Sequence, residues 1–174
     1  MLEAIQKARD VKLLVVDVDG VLTAGHLWYS NNGEELKAFH IQDGLGIKLL
    51  QRAGIDVAII TGRTSQLVAR RGAELGIKHV VQGREDKLVA LRVLAAELNI
   101  SLEEIAYMGD DLPDLSAIAA VGFGIAVANA MPYVAQHAAY KTARCGGDGA
   151  VREICDLILQ SQDKFDAILE RYQQ

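Results

Sequence analysis

The segment VKLLVVDV, residues 11–18, constrains the fold more than any other stretch of the chain. Its apolar residues follow one another without the alternation of a one-sided strand. The strand it predicts is therefore covered on both faces, as in a parallel sheet. Similar runs return at IDVAIITG (55–62), IKHVVQG (77–83), EEIAYMGD (103–110), GFGIAVA (122–128) and AAYKT (138–142). Helical segments separate them: DGLGIKLLQRAG (43–54), SQLVARRGAELG (65–76), residues 85–98 and residues 113–120, with Pro113 in a first turn. Residues 150–172 predict one long amphipathic helix, with Val151, Ile154, Ile158, Phe165, Ile168, Leu169 and Tyr172 near one stripe. Strand–helix alternation of this kind predicts an α/β fold in three layers around a central parallel sheet. With 174 residues the chain suffices for one domain, residues 1–174, and is short for two.

One segment departs from the alternation. GHLWYS and ELKAFH flank Asn31-Asn32-Gly33, and Asn-Gly is a strong hairpin signal, so residues 25–40 predict a protruding β-hairpin. It carries Trp28, Tyr29 and Phe39, which a two-stranded hairpin cannot bury alone; they must pack on the chain's own sheet or on another subunit.

Function classes fall away on charge and hydropathy. A net charge of −5 argues against a nucleic acid partner, which needs a basic face. The longest mostly apolar stretch, near residues 119–128, is about half the roughly 20 residues of a membrane span, so no membrane partner is expected. Charges in MLEAIQKARDVKLL fall where a signal peptide needs its apolar region, and Cys145 and Cys155 form no CxxC. The expectation is a cytoplasmic protein with reduced thiols. His26, His40, His79 and His137 show no zinc-ligand spacing.

In doubly wound sheets the working residues lie at the carboxyl ends of strands. The first strand ends in DVDGVLT (17–23), which places Asp17 and Asp19 close together and calls for a cation between them. The second ends in Thr61, Gly62 and Arg63, a hydroxyl and free amides that suit an anion. Lys87 opens the helix after the third strand as a candidate phosphate partner, and the fourth ends in GDDLPD, giving Asp110, Asp111 and Asp114. Hard oxygen ligands beside an anion nest suit Mg²⁺ and phosphoryl transfer. GxxxxGK[ST] is absent, so no nucleotide triphosphate cradle is expected; an aspartate can itself accept the phosphoryl group.

DVDGVLT, IITGR, Lys87 and GDDLPD resemble, in order, the four motifs of the haloacid dehalogenase superfamily of phosphatases. The resemblance implies a Rossmann-like fold, with Asp17 as nucleophile and Asp19 as general acid and then base. It further implies that Thr61 hydrogen-bonds the phosphoryl group, that Lys87 neutralises it, and that Mg²⁺ is held by Asp17, the backbone carbonyl of Asp19, and Asp110. Either Asp111 or Asp114 assists the metal or caps the next helix. Only 41 residues separate Asp19 from Thr61, and 25 separate Thr61 from Lys87, so no cap domain is inserted in either gap.

The stretch NNGEELKAFHIQDGLGIKLL (31–50), with GGDGAVREICDL (146–157), is similar to a narrower family, the phosphatases of 3-deoxy-D-manno-octulosonate 8-phosphate. Their likeness implies a capless, Mg²⁺-dependent homotetramer of the lipopolysaccharide pathway whose neighbouring subunits close each active site. It implies an acidic sugar phosphate as the small-molecule substrate. The implied substrate contacts are Asp19, His40, Ile41, Gln42, Asp43, Gly44, Lys48, Gly62, Arg63, Arg71 and Lys87. Position 48 is often arginine in that family, and lysine here keeps the charge without the planar fork; position 40 is often asparagine. The same motifs admit another acidic sugar phosphate, such as a sialic acid 9-phosphate. A phosphoacceptor receiver fits less well, since the third strand, IKHVVQG, ends without an acid.

Overall fold

The computed structural model describes residues 2–173. Helix α1 (Leu2–Arg9) leads into strand β1 (Leu13–Val16), and a tight helical turn (Val18–Leu22) follows it. The hairpin strands β2 (Trp28–Tyr29) and β3 (Glu35–Leu36) come next. Alternation then sets in: α2 (Ile41–Arg52), β4 (Asp56–Ile60), α3 (Gln66–Leu75), β5 (His79–Val81), α4 (Lys87–Leu98), β6 (Ile105–Gly109), α5 (Leu112–Ala120) and β7 (Phe123–Ala126). The chain closes with α6 (Pro132–His137), β8 (Tyr140–Lys141), α7 (Ala150–Ser161) and α8 (Phe165–Gln173).

Six strands form one parallel sheet in the order β5-β4-β1-β6-β7-β8. All four residues of β1 are buried, as the unbroken apolar run requires. Helices α1, α2 and α7 pack on one another as one layer, and α4 and α5 as another. The chain moves outward from β1 through β4 to β5, then returns to build β6, β7 and β8 on the other side. Val16 pairs with Ile59 of β4 and Met108 of β6, so the carboxyl ends of three strands lie side by side where the winding reverses. Such a reversal opens a crevice above the strand ends.

Three expectations change. Residues 150–172 are two helices: Asp163 takes a left-handed backbone (φ 55°), Lys164 N–H closes back on Leu159 O at 2.9 Å, and Gln162 Nε2 donates to Val11 O at 2.8 Å. That C-terminal closure outweighs the continuous apolar stripe. Helix α2 begins at Ile41, two residues before the expected start, and α1 and α6 are additional. The hairpin has only two paired positions per strand, Trp28 with Leu36 and Tyr29 with Glu35, around a turn in which Gly33 N–H donates to Ser30 O. Its aromatics part company: Trp28 and Tyr29 are 61% and 62% exposed, whereas Phe39 packs on the core beneath the Arg71 guanidinium. Among the described residues no helix is long and apolar enough to cross a membrane.

Candidate active site

Asp17 continues the ladder of β1, its N–H donating to Met108 O at 3.0 Å, so its position is set by the sheet. The chain then turns at Gly20 (φ 98°), where a Cβ atom would fall 2.1 Å from Asp110 Oδ2; only glycine lets the acid after β6 come this close. Thr61 is held after β4 by Val81 O and is buried. Lys87, at the first turn of α4, is also buried, with Nζ 2.9 Å from Asp17 Oδ2 and 2.6 Å from Asp114 Oδ1. Asp114 collects further donors: the Tyr107 hydroxyl at 2.8 Å, Asp110 N–H at 3.2 Å and Asp111 N–H at 3.4 Å. Its oxygens are thereby committed, and Asp114 orients Lys87 and the start of the GDDLPD turn. Asp111 is the N-cap of α5, accepting from Leu112 N–H at 2.7 Å and from the Tyr133 hydroxyl.

The electrostatics of this cluster are those of a place prepared for a cation. Oxygens of Asp17, Asp110 and Asp114 lie within 4.8 Å of one another, with one lysine among three acids. Burial, with Asp114 alongside, pushes the Asp17 carboxyl up to about 6 despite Lys87. Burial and the charges of Asp114 and Asp17 push Asp110 up to about 7. Burial works to lower the Lys87 ammonium, but Asp17 and Asp114 overcome it and hold the ammonium above its ordinary range. Asp17 Oδ1 is buried and has no hydrogen-bond partner among the described residues. A buried carboxylate oxygen without a donor is costly, and a divalent ion is the group that satisfies it. The residues fit Mg²⁺: Asp17 and Asp110 present open oxygens, with the Asp19 backbone in the adjoining turn.

A cleft of about 710 Å³ opens above the cluster, with Asp17, Asp19, Thr61, Gly62, Arg63, Lys87 and Asp110 in its wall. With Asp111 and Asp114, which also line it, nine residues singled out in the sequence thus meet at one place. The α2 group does not reach it. Asp43 is buried, its Oδ1 accepting from Arg152 N–H at 2.7 Å at the start of α7, and burial raises its carboxyl. Gln42 accepts from Arg144 Nη1 at 2.9 Å, His40 stands 3.8 Å from Asp148, Ile41 is 82% exposed, and Lys48 is exposed. Gly44 lies under Arg71, which stacks over Phe39 and pairs with Glu74 at 3.5 Å outside the cleft.

Other residues join the site that the sequence did not single out. Lys37, from the hairpin, is paired with Asp19 Oδ1. Glu35 accepts from Ser65 Oγ at 2.9 Å and lies 3.5 Å from both Lys37 and Arg63. Burial works to raise the Glu35 carboxyl, but Ser65, Lys37 and Arg63 hold it below its ordinary range. Arg63 also donates to the Tyr29 hydroxyl at 3.1 Å and stands 3.6 Å from Asp19 Oδ2. Glu35 opens β3 and Lys37 directly follows it, two residues apart, the extended spacing that puts both on one face and the one sequence signal for the pair.

A family model described as haloacid dehalogenase-like hydrolase matches residues 77–154. The chain is 51% identical over 164 residues to the 3-deoxy-D-manno-octulosonate 8-phosphate phosphatase KdsC of Yersinia pestis, an overlap of 94% of this chain and 88% of that protein. It is 49% identical, also over 164 residues, to the Escherichia coli K12 protein of the same name, covering 94% and 87%. The solved structure of the phosphatase of that name from Moraxella catarrhalis, in complex with magnesium ion, phosphate ion and a KDO molecule, superimposes with a TM-score of 0.97. Identity there is 50%, over 99% of both chains.

Proposed function

The chain belongs to the 3-deoxy-D-manno-octulosonate (KDO) 8-phosphate phosphatases, a family of haloacid dehalogenase-like hydrolases, and from that membership we propose that it hydrolyses KDO 8-phosphate to KDO and phosphate in lipopolysaccharide biosynthesis, with Mg²⁺ as cofactor. The observation that carries the reading is the buried, partnerless Asp17 Oδ1 beside Asp110 and across from Lys87.

Asp17 attacks phosphorus through a carboxylate oxygen, the bond to the sugar oxygen breaks, and Asp19 gives that sugar oxygen its proton. An aspartyl phosphate remains. Asp19 then takes a proton from water, whose oxygen displaces Asp17 and releases phosphate. Thr61 and the amides after it orient the phosphoryl oxygens, and Lys87 balances their charge. Asp17, Asp110 and the backbone carbonyl of Asp19 would hold Mg²⁺, which when bound supplies the positive charge that lets two neighbouring carboxylates stay ionised. Arg63, in the cleft wall, supplies a further cation for the acidic sugar phosphate.

The whole chain, residues 1–174, acts as one domain, and four copies assemble. Support comes from the exposed Leu27, Trp28, Tyr29, Leu36 and Ile41 around the hairpin, an apolar patch that calls for a covering surface. Arg71, outside its own cleft, then serves a neighbour's substrate, with His40 and Lys48 on the same α2 side. Asp43 and Gly44 act beneath it, one capping α7 and the other giving Arg71 room. A cytoplasmic setting agrees with Cys145 and Cys155 as free thiols.

The test is a turnover panel with Mg²⁺ across KDO 8-phosphate, a sialic acid 9-phosphate and neutral sugar phosphates, for the wild type and Asp17→Asn. The expected result is the highest kcat/KM on KDO 8-phosphate and no turnover by the variant. A higher kcat/KM on another member of the panel overturns the substrate, and an active Asp17→Asn removes Asp17 from the chemistry.

A further inference from the structure

We propose that Lys37 is a positioning residue that aims the Asp19 carboxyl at the leaving oxygen of the substrate, which ties the hairpin to the proton-transfer step. This rests on the reading of Asp19 as general acid. The Lys37 side chain is only 1% exposed, and its ammonium pairs with Asp19 Oδ1. Long cationic side chains are seldom buried this far without a fixed partner. Lys37 does not line the phosphoryl cleft; it lines an adjoining hollow with Phe39, Leu67 and Arg71. It therefore meets Asp19 from behind. With Oδ1 engaged there, Oδ2 faces the side of Arg63, in the cleft wall. The proton given to the sugar oxygen is carried on Oδ2, and the carboxyl cannot rotate to present the other oxygen while the ion pair holds.

The ammonium of Lys37 is itself anchored. Glu35 Oε1 lies 3.5 Å from Lys37 Nζ and 3.5 Å from Arg63 Nη2, while Glu35 Oε2 takes the Ser65 hydroxyl at 2.9 Å. Thus β3 is stapled to the turn after β4, and Lys37 is held at a defined distance from the sheet end that carries Asp17. Catalytic groups need this kind of support, because a side chain free to rotate spends most of its time misdirected.

The experiment compares two substrates of the Mg²⁺-loaded enzyme, KDO 8-phosphate and p-nitrophenyl phosphate. An alkoxide leaving group needs a proton from Asp19, whereas p-nitrophenolate departs without one. Lys37→Met is expected to lower kcat/KM on KDO 8-phosphate, which reports the steps up to departure of the sugar oxygen, by roughly 10²-fold, the lower end of what general acid catalysis contributes, with KM little changed. On p-nitrophenyl phosphate the same variant is expected to lose less than about fivefold in kcat/KM, since that ratio covers the step in which the acid is idle and not the later one in which Asp19 takes the proton of water. Should Lys37→Met not fold, Lys37→Gln is measured in its place on the same two substrates. Equal losses on both, or a loss confined to KM, overturn the proposal while leaving the phosphatase reading intact. A wild type that hydrolyses neither substrate overturns both.

Discussion

At the scale of residues, the site is an arrangement of acids that do not tolerate one another without help. The Asp17 and Asp110 carboxyls stand at about 6 and about 7, against an ordinary value of 3.8, for the same reason: burial first, then the neighbouring acids. In the unfolded chain both ionise near the ordinary value. Between that value and about 7, the folded metal-free protein holds more protons than the unfolded one, so its stability falls as pH rises through this window. Glu35, Glu74, Asp86 and Glu104 are lowered instead, and their contribution is lost only in more acidic solution. The metal-free protein is therefore expected to lose stability between pH 5 and pH 8, on the order of a few kcal/mol. Mg²⁺ is expected to raise the melting temperature strongly at pH 8 and weakly at pH 5, where protons compete for the same oxygens. Thermal melts with EDTA and with Mg²⁺ at the two pH values check this, and a pH-independent Mg²⁺ effect would contradict it.

At the scale of elements, the strand ends are exact only because a distant loop braces them. Gly147 N–H donates to Val21 O at 2.9 Å and clasps the turn that carries Asp19 and Gly20, while Gly146 N–H donates to Asn129 Oδ1 at 2.9 Å. A Cβ on Gly146 would fall 1.7 Å from Gly20 O, a backbone atom that can yield only by moving that turn. Gly146→Ala is thus expected to cost more than about 2 kcal/mol and to depress kcat. Gly54→Ala, with a left-handed backbone but nothing within 4 Å, is expected to cost about 1–2 kcal/mol and leave kcat alone. Urea unfolding and steady-state rates distinguish the two. The strands that hold the site were legible because fully buried strands write their apolar runs in contiguous letters, and Asp17, Thr61 and Asp110 each end such a run. Asp114 was visible only as an ambiguous acid, since its commitment depends on Lys87 and Tyr107 arriving from other elements. The break at Gln162–Lys164 was hidden by an apolar stripe that continues across it. Lys37 was hidden for a different reason: nothing local in ELKAFH says which way the hairpin folds back.

At the scale of the whole molecule, the proposed assembly draws on two features, the exposed apolar residues of the hairpin strands and the outlying Arg71. Light scattering at micromolar concentration is expected to give four copies of the 18.8 kDa chain. Trp28→Asp is expected to yield a smaller species with native circular dichroism and much reduced turnover of KDO 8-phosphate; a fully active monomer would contradict the shared site. The central place of β1 has a consequence for how the molecule is made. Its residues 13–16 emerge from the ribosome early, and their first neighbour, 56–59, follows soon after. The second neighbour, 105–108, is translated about 90 residues later, roughly 5–20 s at ordinary speeds of synthesis. Throughout that interval one edge of this wholly apolar four-residue strand lies bare. The nascent protein acquires its chemistry only when the late half of the sheet, with Asp110 and Asp114 at its strand end, locks into place beside Asp17.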